Sequence, residues 1–213
     1  NGWPQARFML NRHYRMHDEI AALVQQFYHH DLISCTPRQQ RTLESSETTP
    51  AYLKKRVVWI DCPPATHAYY DEEQCVIIHR LLDKLIQLGE ITELATGVGI
   101  VAPYRAMIQA LRAELGGPFS AMTIDTVERF QGSERDIIII TLPLRNKADL
   151  RTLEAVSDDQ KVDRKLNVSL SRAKERLIIL GNSSLCASSG HYAFLIDRIR
   201  ASQTLIPSSQ LID

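Results

Sequence analysis

Three short stretches of the chain hold residue types suited to phosphate and bases. Tyr14-Arg15, within Leu10-Asn-Arg-His-Tyr-Arg-Met-His17, sets a flat aromatic beside a permanently charged planar fork. The ring can stack on a base and the guanidinium can meet phosphate oxygens in pairs. The competing role for an isolated pair of this kind is a core tyrosine and an arginine bound to a carboxylate. Asp163–Lys174 interleaves Leu166, Val168 and Leu170 with Arg164, Lys165, Arg172 and Lys174, so a short helix can be buried while its end projects cations. Those cations suit either a reacting phosphoryl group or the phosphates of a nucleic acid. The third stretch, Ile124–Ile137, carries Gln131, Gly132 and Glu134. Gly132 permits a tight turn that a side chain would obstruct, and Gln131 and Glu134 offer an amide and a carboxylate beside it.

What is missing narrows the chemistry further. No G-x-x-x-x-G-K-[ST] occurs, and none of the nine glycines precedes a lysine, so the chain cannot cradle a nucleotide's phosphates by itself in the usual manner. A G-x-G-x-x-G turn is absent too, which disfavours a self-sufficient dinucleotide enzyme. Ser169 and Ser171 lack the G-x-S-x-G turn of a hydrolase nucleophile. His13 and His17 stand four apart without a third ligand at metal spacing, and they are expected, like His29-His30, to be ordinary surface histidines. Asp71-Glu72-Glu73 reads as the first turn of a helix, where acids suit the dipole.

These residues need a scaffold, and the apolar pattern supplies one. Arg56–Asp61, Gly97–Ala102, Ala121–Asp125, Asp136–Leu142 and Arg176–Gly181 are five candidate strands. The last two are unbroken apolar runs, as expected of strands covered on both faces. Between them lie helical patterns: His17–Tyr28 with Ile20, Leu23, Val24 and Phe27; Asp71–Leu88 with Val76, Ile77, Leu81, Leu82, Leu85 and Leu88 as its core face; and a helix opened by Pro103 and running through Met107, Ile108 and Leu111 to Leu115. Strands alternating with helices predict an α/β fold in one domain over residues 1–213, a mainly parallel sheet with helices on both sides. The Ser-, Thr- and Gln-rich segment 34–50 reads as a mobile loop. Ligands of such sheets gather at the carboxyl ends of strands, which directs attention to the loops after Asp61, Ala102, Asp125, Leu142 and Gly181.

The chain's 213 residues carry 25 Lys and Arg against 25 Asp and Glu, so nucleic-acid contact would have to come from local cationic clusters. Apolar stretches such as Ile137–Leu142 fall far short of the ~20 residues that cross a bilayer, and a membrane role is not expected. Asn1-Gly-Trp-Pro4 has no basic and apolar leader and reads as the start of an excised fragment. Four scattered cysteines without a C-x-x-C pair fit reduced thiols in a cytoplasmic protein.

In order and spacing, the three polar stretches resemble motifs IV, V and VI of superfamily 1 helicases. The branch is the superfamily 1B, Upf-like group that includes the RNA helicase of nonsense-mediated decay and the helicase-nuclease of replication flaps. The resemblance spans roughly Leu10 to Asn182 and implies the second, C-terminal RecA-like domain of such an enzyme, without a P-loop of its own. It implies that Tyr14 meets adenine, that Arg15 meets the terminal phosphate, and that Arg172 is an arginine finger on the γ-phosphate. Glu134 would receive a hydrogen bond from the ribose, and Gln131, beside Gly132, would join the nucleotide to the nucleic-acid site. Thr126 and the backbone around Val127 would touch nucleic-acid phosphates, and Pro103 and Tyr104 in Ala102-Pro-Tyr-Arg105 resemble the family's additional strand-binding segment. Ser133 stands where the family usually has a basic residue. ATP and Mg²⁺ would be held mainly by an upstream RecA-like domain, and the strand would be single-stranded DNA or RNA. The alternative is a helicase-like fold kept as a catalytically inactive nucleic-acid or protein interaction module.

Overall fold

The computed structural model describes residues 11–28 and 32–211. The predicted motif segment is therefore seen from Asn11 onward, and Asn1–Leu10 and His29-His30 lie outside the described residues. Six strands form one parallel sheet: β3 (Val57–Asp61), β4 (Val98–Val101), β5 (Thr123–Asp125), β6 (Arg135–Leu142), β7 (Ala173–Gly181) and β8 (Leu205–Pro207), in the order β5-β4-β6-β7-β3-β8. A separate two-residue parallel ribbon pairs β1 (Arg12–His13) with β2 (Ile33–Ser34). The five expected strands are all present; β8 is an addition at the edge.

The helices are α1 (Asp18–Val24), α2 (Glu72–Gln87), α3 (Leu94–Gly97), α4 (Arg105–Leu115), α5 (Lys147–Leu153), α6 (Arg164–Leu170), α7 (Ser183–Cys186) and α8 (Gly190–Ala201). The unbroken apolar runs of β6 and β7 are explained by two cores. Trp59, Ile138, Ile140, Leu177 and Ile179 face one side, where Ile20 and Val24 of α1, Leu166 and Leu170 of α6, and Leu195, Ile196 and Ile199 of α8 cover them. Their neighbours Val58, Ile60, Ile137, Ile139, Ile178 and Leu180 face the other, against Ile77, Ile78, Leu81, Leu82 and Leu85 of α2 and Met107, Leu111 and Leu115 of α4. The alternation follows from the two-residue period of a strand.

Several expected boundaries shift. Val76 is 36% exposed, and Ile78 takes its place on the buried face of α2, because Ile78 rather than Val76 completes the stripe with Leu81, Leu82 and Leu85. Asp71 caps α2 by accepting from Gln74 N at 3.2 Å, as the acidic first turn predicted. Tyr104, not Pro103, is the N-cap of α4. The His17–Tyr28 helix is α1 followed by a 3₁₀ turn, Gln25–Tyr28. Within segment 34–50, Pro37–Gln40 form a 3₁₀ turn whose Gln39 is 1% exposed and donates to the carbonyls of His13 and Met16.

Candidate nucleotide and nucleic-acid sites

Motif residues more than a hundred positions apart meet where β6 and β7 begin. Arg15 lies in the turn between β1 and α1, and that turn is fastened to β7 by His17 N donating to Lys174 O at 2.9 Å. Arg15 Nε donates to Glu134 Oε2 at 2.6 Å and its Nη1 to Ser171 O at 3.1 Å. Arg172 follows the end of α6 and folds back: Nε reaches Val168 O at 3.1 Å, Nη1 reaches Ser133 O at 3.2 Å, and Nη2 reaches Ser171 Oγ at 3.1 Å. Both guanidiniums thus bind residue 171 and the 133–134 pair. Tyr14, next to Arg15 in sequence, is 65% exposed and is not a core residue.

The charges at this cluster are unequal. Arg15 holds the Glu134 carboxyl below its ordinary range through their hydrogen bond, against the opposing effect of burial, with the charges of Arg15, Lys174 and Arg38 adding to the lowering. Burial pulls Arg172 below the usual guanidinium value, and the like charge of Arg15 adds to that, while Glu134 opposes it. An arginine stays protonated regardless, so two cations stand at a cluster whose one carboxylate, Glu134, is bound by Arg15 alone. Such a cluster stabilises arriving negative charge. One of the two roles weighed for Arg15 is thus observed, since it is bound to a carboxylate.

The position of the cluster corrects one expectation. Glu134 immediately precedes β6 and Arg172 immediately precedes β7, so the arginines sit at the amino ends of parallel strands, not at their carboxyl ends. The reason is the path of the central motif. It leaves the carboxyl end of β5 at Asp125 and returns to the amino end of β6, burying Phe130 (0% exposed) against the sheet on the way. A Cβ on Gly99 would stand 2.8 Å from Phe130 Cε1, so the glycine makes room for that return. Gly132 turns it with φ +86°, and Gln131 beside it is exposed.

The other expected residues do lie at the carboxyl end. Thr126 follows β5, with its N–H donating to Asp125 Oδ1 at 2.8 Å, and Val127 is buried, leaving its backbone as the part that could meet a ligand. Pro103 and Tyr104 follow β4. A cavity of about 160 Å³ opens among Pro103, Tyr104, Val127, Glu128 and Lys165. Lys165 reaches Glu128 at 3.2 Å, so this motif VI cation belongs to the carboxyl end while Arg172 belongs to the other. The motif residues therefore form two groups, joined by residues 126–134.

Sequence reasoning missed the support of the arginine turn. Arg38 Nη2 donates to Arg15 O at 2.9 Å and its Nη1 to Glu175 at 2.8 Å; Arg56, 1% exposed, binds the same Glu175 at 2.9 Å. The histidines also differ from expectation. His17 is 6% exposed and caps α1, its Nδ1 accepting from Glu19 N, which places the ring proton on the Nε2 that donates to Arg41 O at 2.9 Å. His13 is hydrogen-bonded to Gln39 and Ser34. Among the described residues no three His, Cys, Asp or Glu side chains gather as a metal site.

An AAA-domain family matches residues 1–184. Over 93% of its length the chain is 29% identical to a probable helicase of Dictyostelium discoideum, covering 20% of that protein. It is 26% identical to helicase sen1 of Schizosaccharomyces pombe over 89% of the chain and 11% of the relative. The human DNA replication ATP-dependent helicase/nuclease is 32% identical over 39% of the chain and 8% of its own length. The chain belongs to this AAA-domain family and is a superfamily 1 helicase C-terminal domain of the DNA2/NAM7 type. It spans a fifth or less of the length of these relatives.

Proposed function

We propose that this domain is the C-terminal half of an ATP-driven helicase motor. It supplies Arg15 and Arg172 to an ATP whose phosphates and Mg²⁺ are held by an upstream RecA-like domain. The observation that carries the reading is the convergence of the two guanidiniums on Ser171 and the 133–134 pair. Arg172 stabilises the charge that develops on the transferring phosphoryl group, a contribution worth ~10³ or more in rate in comparable enzymes. Arg15 meets the terminal phosphate, and Tyr14 lends its exposed ring to the base.

Glu134 has two parts to play in turn. It holds Arg15 until triphosphate oxygens compete for the guanidinium, and the released carboxylate then accepts from a ribose hydroxyl. Because residues 126–134 join Thr126 at the carboxyl end to Glu134 at the amino end, a shift of Glu134 on nucleotide binding is felt where Thr126, Pro103 and Tyr104 grip single-stranded nucleic acid. Hydrolysis reverses the shift, and alternating grip moves the strand.

The reading is tested by comparing the full-length protein that carries this chain with the 213 residues alone. The full-length protein is expected to hydrolyse ATP faster with single-stranded nucleic acid present, and the isolated chain to show no turnover. Robust hydrolysis by the isolated chain contradicts the two-domain mechanism.

A further inference from the structure

At the carboxyl end of the sheet, three loops that no motif unites bring aromatic rings and a guanidinium together. Tyr69, in the loop after β3, is 57% exposed and sits at φ +72°, a left-handed conformation that a bulky residue adopts only where its surroundings impose it. Its ring meets Tyr104, in the loop after β4, edge to face, with centroids 5.0 Å apart and planes at 76°. Tyr104 is itself fixed. Thr152 donates its hydroxyl to Asp149 O at 2.7 Å, so the Tyr104 phenol donates to Thr152 at 3.0 Å. From the loop after β6, Arg145 lies within electrostatic reach of both phenols, its fork held by Asp149 through Nε and Nη2 at 3.0 Å each. Ala65 N donates to Leu144 O at 2.8 Å and binds the first loop to the third.

We propose that Tyr69, seated edge to face on Tyr104, is a stacking step for one base of the single-stranded nucleic acid. The proposal rests on the reading that the carboxyl end of the sheet grips the strand. A ring pre-set by strain and by a rigid neighbour loses little freedom on binding, and its stacking tolerates any base. A packing role alone would leave both the exposure and the backbone strain of Tyr69 unexplained.

The test uses the full-length protein and single-stranded oligonucleotides carrying 5-iodouracil. Irradiation is expected to attach the oligonucleotide to Tyr69, which needs no variant. Tyr69→Ala should weaken oligonucleotide binding about tenfold, the size of one lost stack, while Tyr69→Trp stays within about twofold of wild type. Crosslinks confined to the 126–131 segment, with unchanged affinity for Tyr69→Ala, would overturn this step and leave the proposed function standing. Absence of any oligonucleotide binding would remove both.

Discussion

At the scale of single residues, Arg15 and Glu134 form a contact whose strength must be limited. Their side chains are 32% and 44% exposed, so solvent screens the pair, and Glu134→Gln should cost no more than about 1 kcal/mol of stability. The sign with pH follows from the lowered Glu134 value. Its contribution is present above the ordinary carboxylate range and is lost as pH falls through the depressed value, so urea midpoints of wild type and Glu134→Gln should converge in acid. A gap that widens in acid would refute the pairing. The thiols make a second residue-scale test. Burial pushes Cys75 up to about 12 and raises Cys62 and Cys186 as well, whereas Cys35 is half-buried. A thiol reagent should therefore modify one cysteine of the four quickly in the native protein and the other three only on unfolding.

Among the elements, the turn holding Tyr14 and Arg15 is kept in shape by Gln39, from the loop segment 34–50. Gln39→Ala leaves the His13 and Met16 carbonyls without their donor and should cost about 1–3 kcal/mol, read from urea unfolding. Gly99→Ala should cost a similar ~1–3 kcal/mol, because its Cβ would drive Phe130 out of the sheet-covering path. The five principal strands and the helices between them were legible because apolar period is a local property. Helix α8 carries the same i, i+3, i+4, i+7 signal in Tyr192, Leu195, Ile196 and Ile199, beyond the last of the five candidate strands. The burial of Gln39 within the loop segment 34–50 is not legible in the sequence for a physical reason: a polar side chain is buried only by partners distant in sequence. The same applies to Arg56, just before β3, and Arg176, within β7, which are each 1% exposed and answered by Glu175 and Glu90 at 2.9 and 2.6 Å. No local pattern announces them.

For the whole molecule, the sheet separates two tasks that composition could not distinguish. The arginines that suit ATP stand at the amino ends of β6 and β7, and the residues that suit a nucleic-acid strand stand at the carboxyl ends, with residues 126–134 as the link. The partners Arg15 and Glu134 are 119 positions apart, so only the resemblance of the motifs, not their spacing, could bring them together in advance. In the proposed motor the rule that ligands collect at carboxyl ends covers Thr126, Pro103 and Tyr104 but not the arginines, because there the arginines serve a nucleotide that another domain holds. That claim is met most directly by Arg172→Ala in the full-length protein, measuring steady-state ATP turnover alongside nucleotide affinity. Turnover should fall by ~10³ or more while nucleotide affinity stays within about threefold of wild type. Turnover equal to wild type would contradict the account.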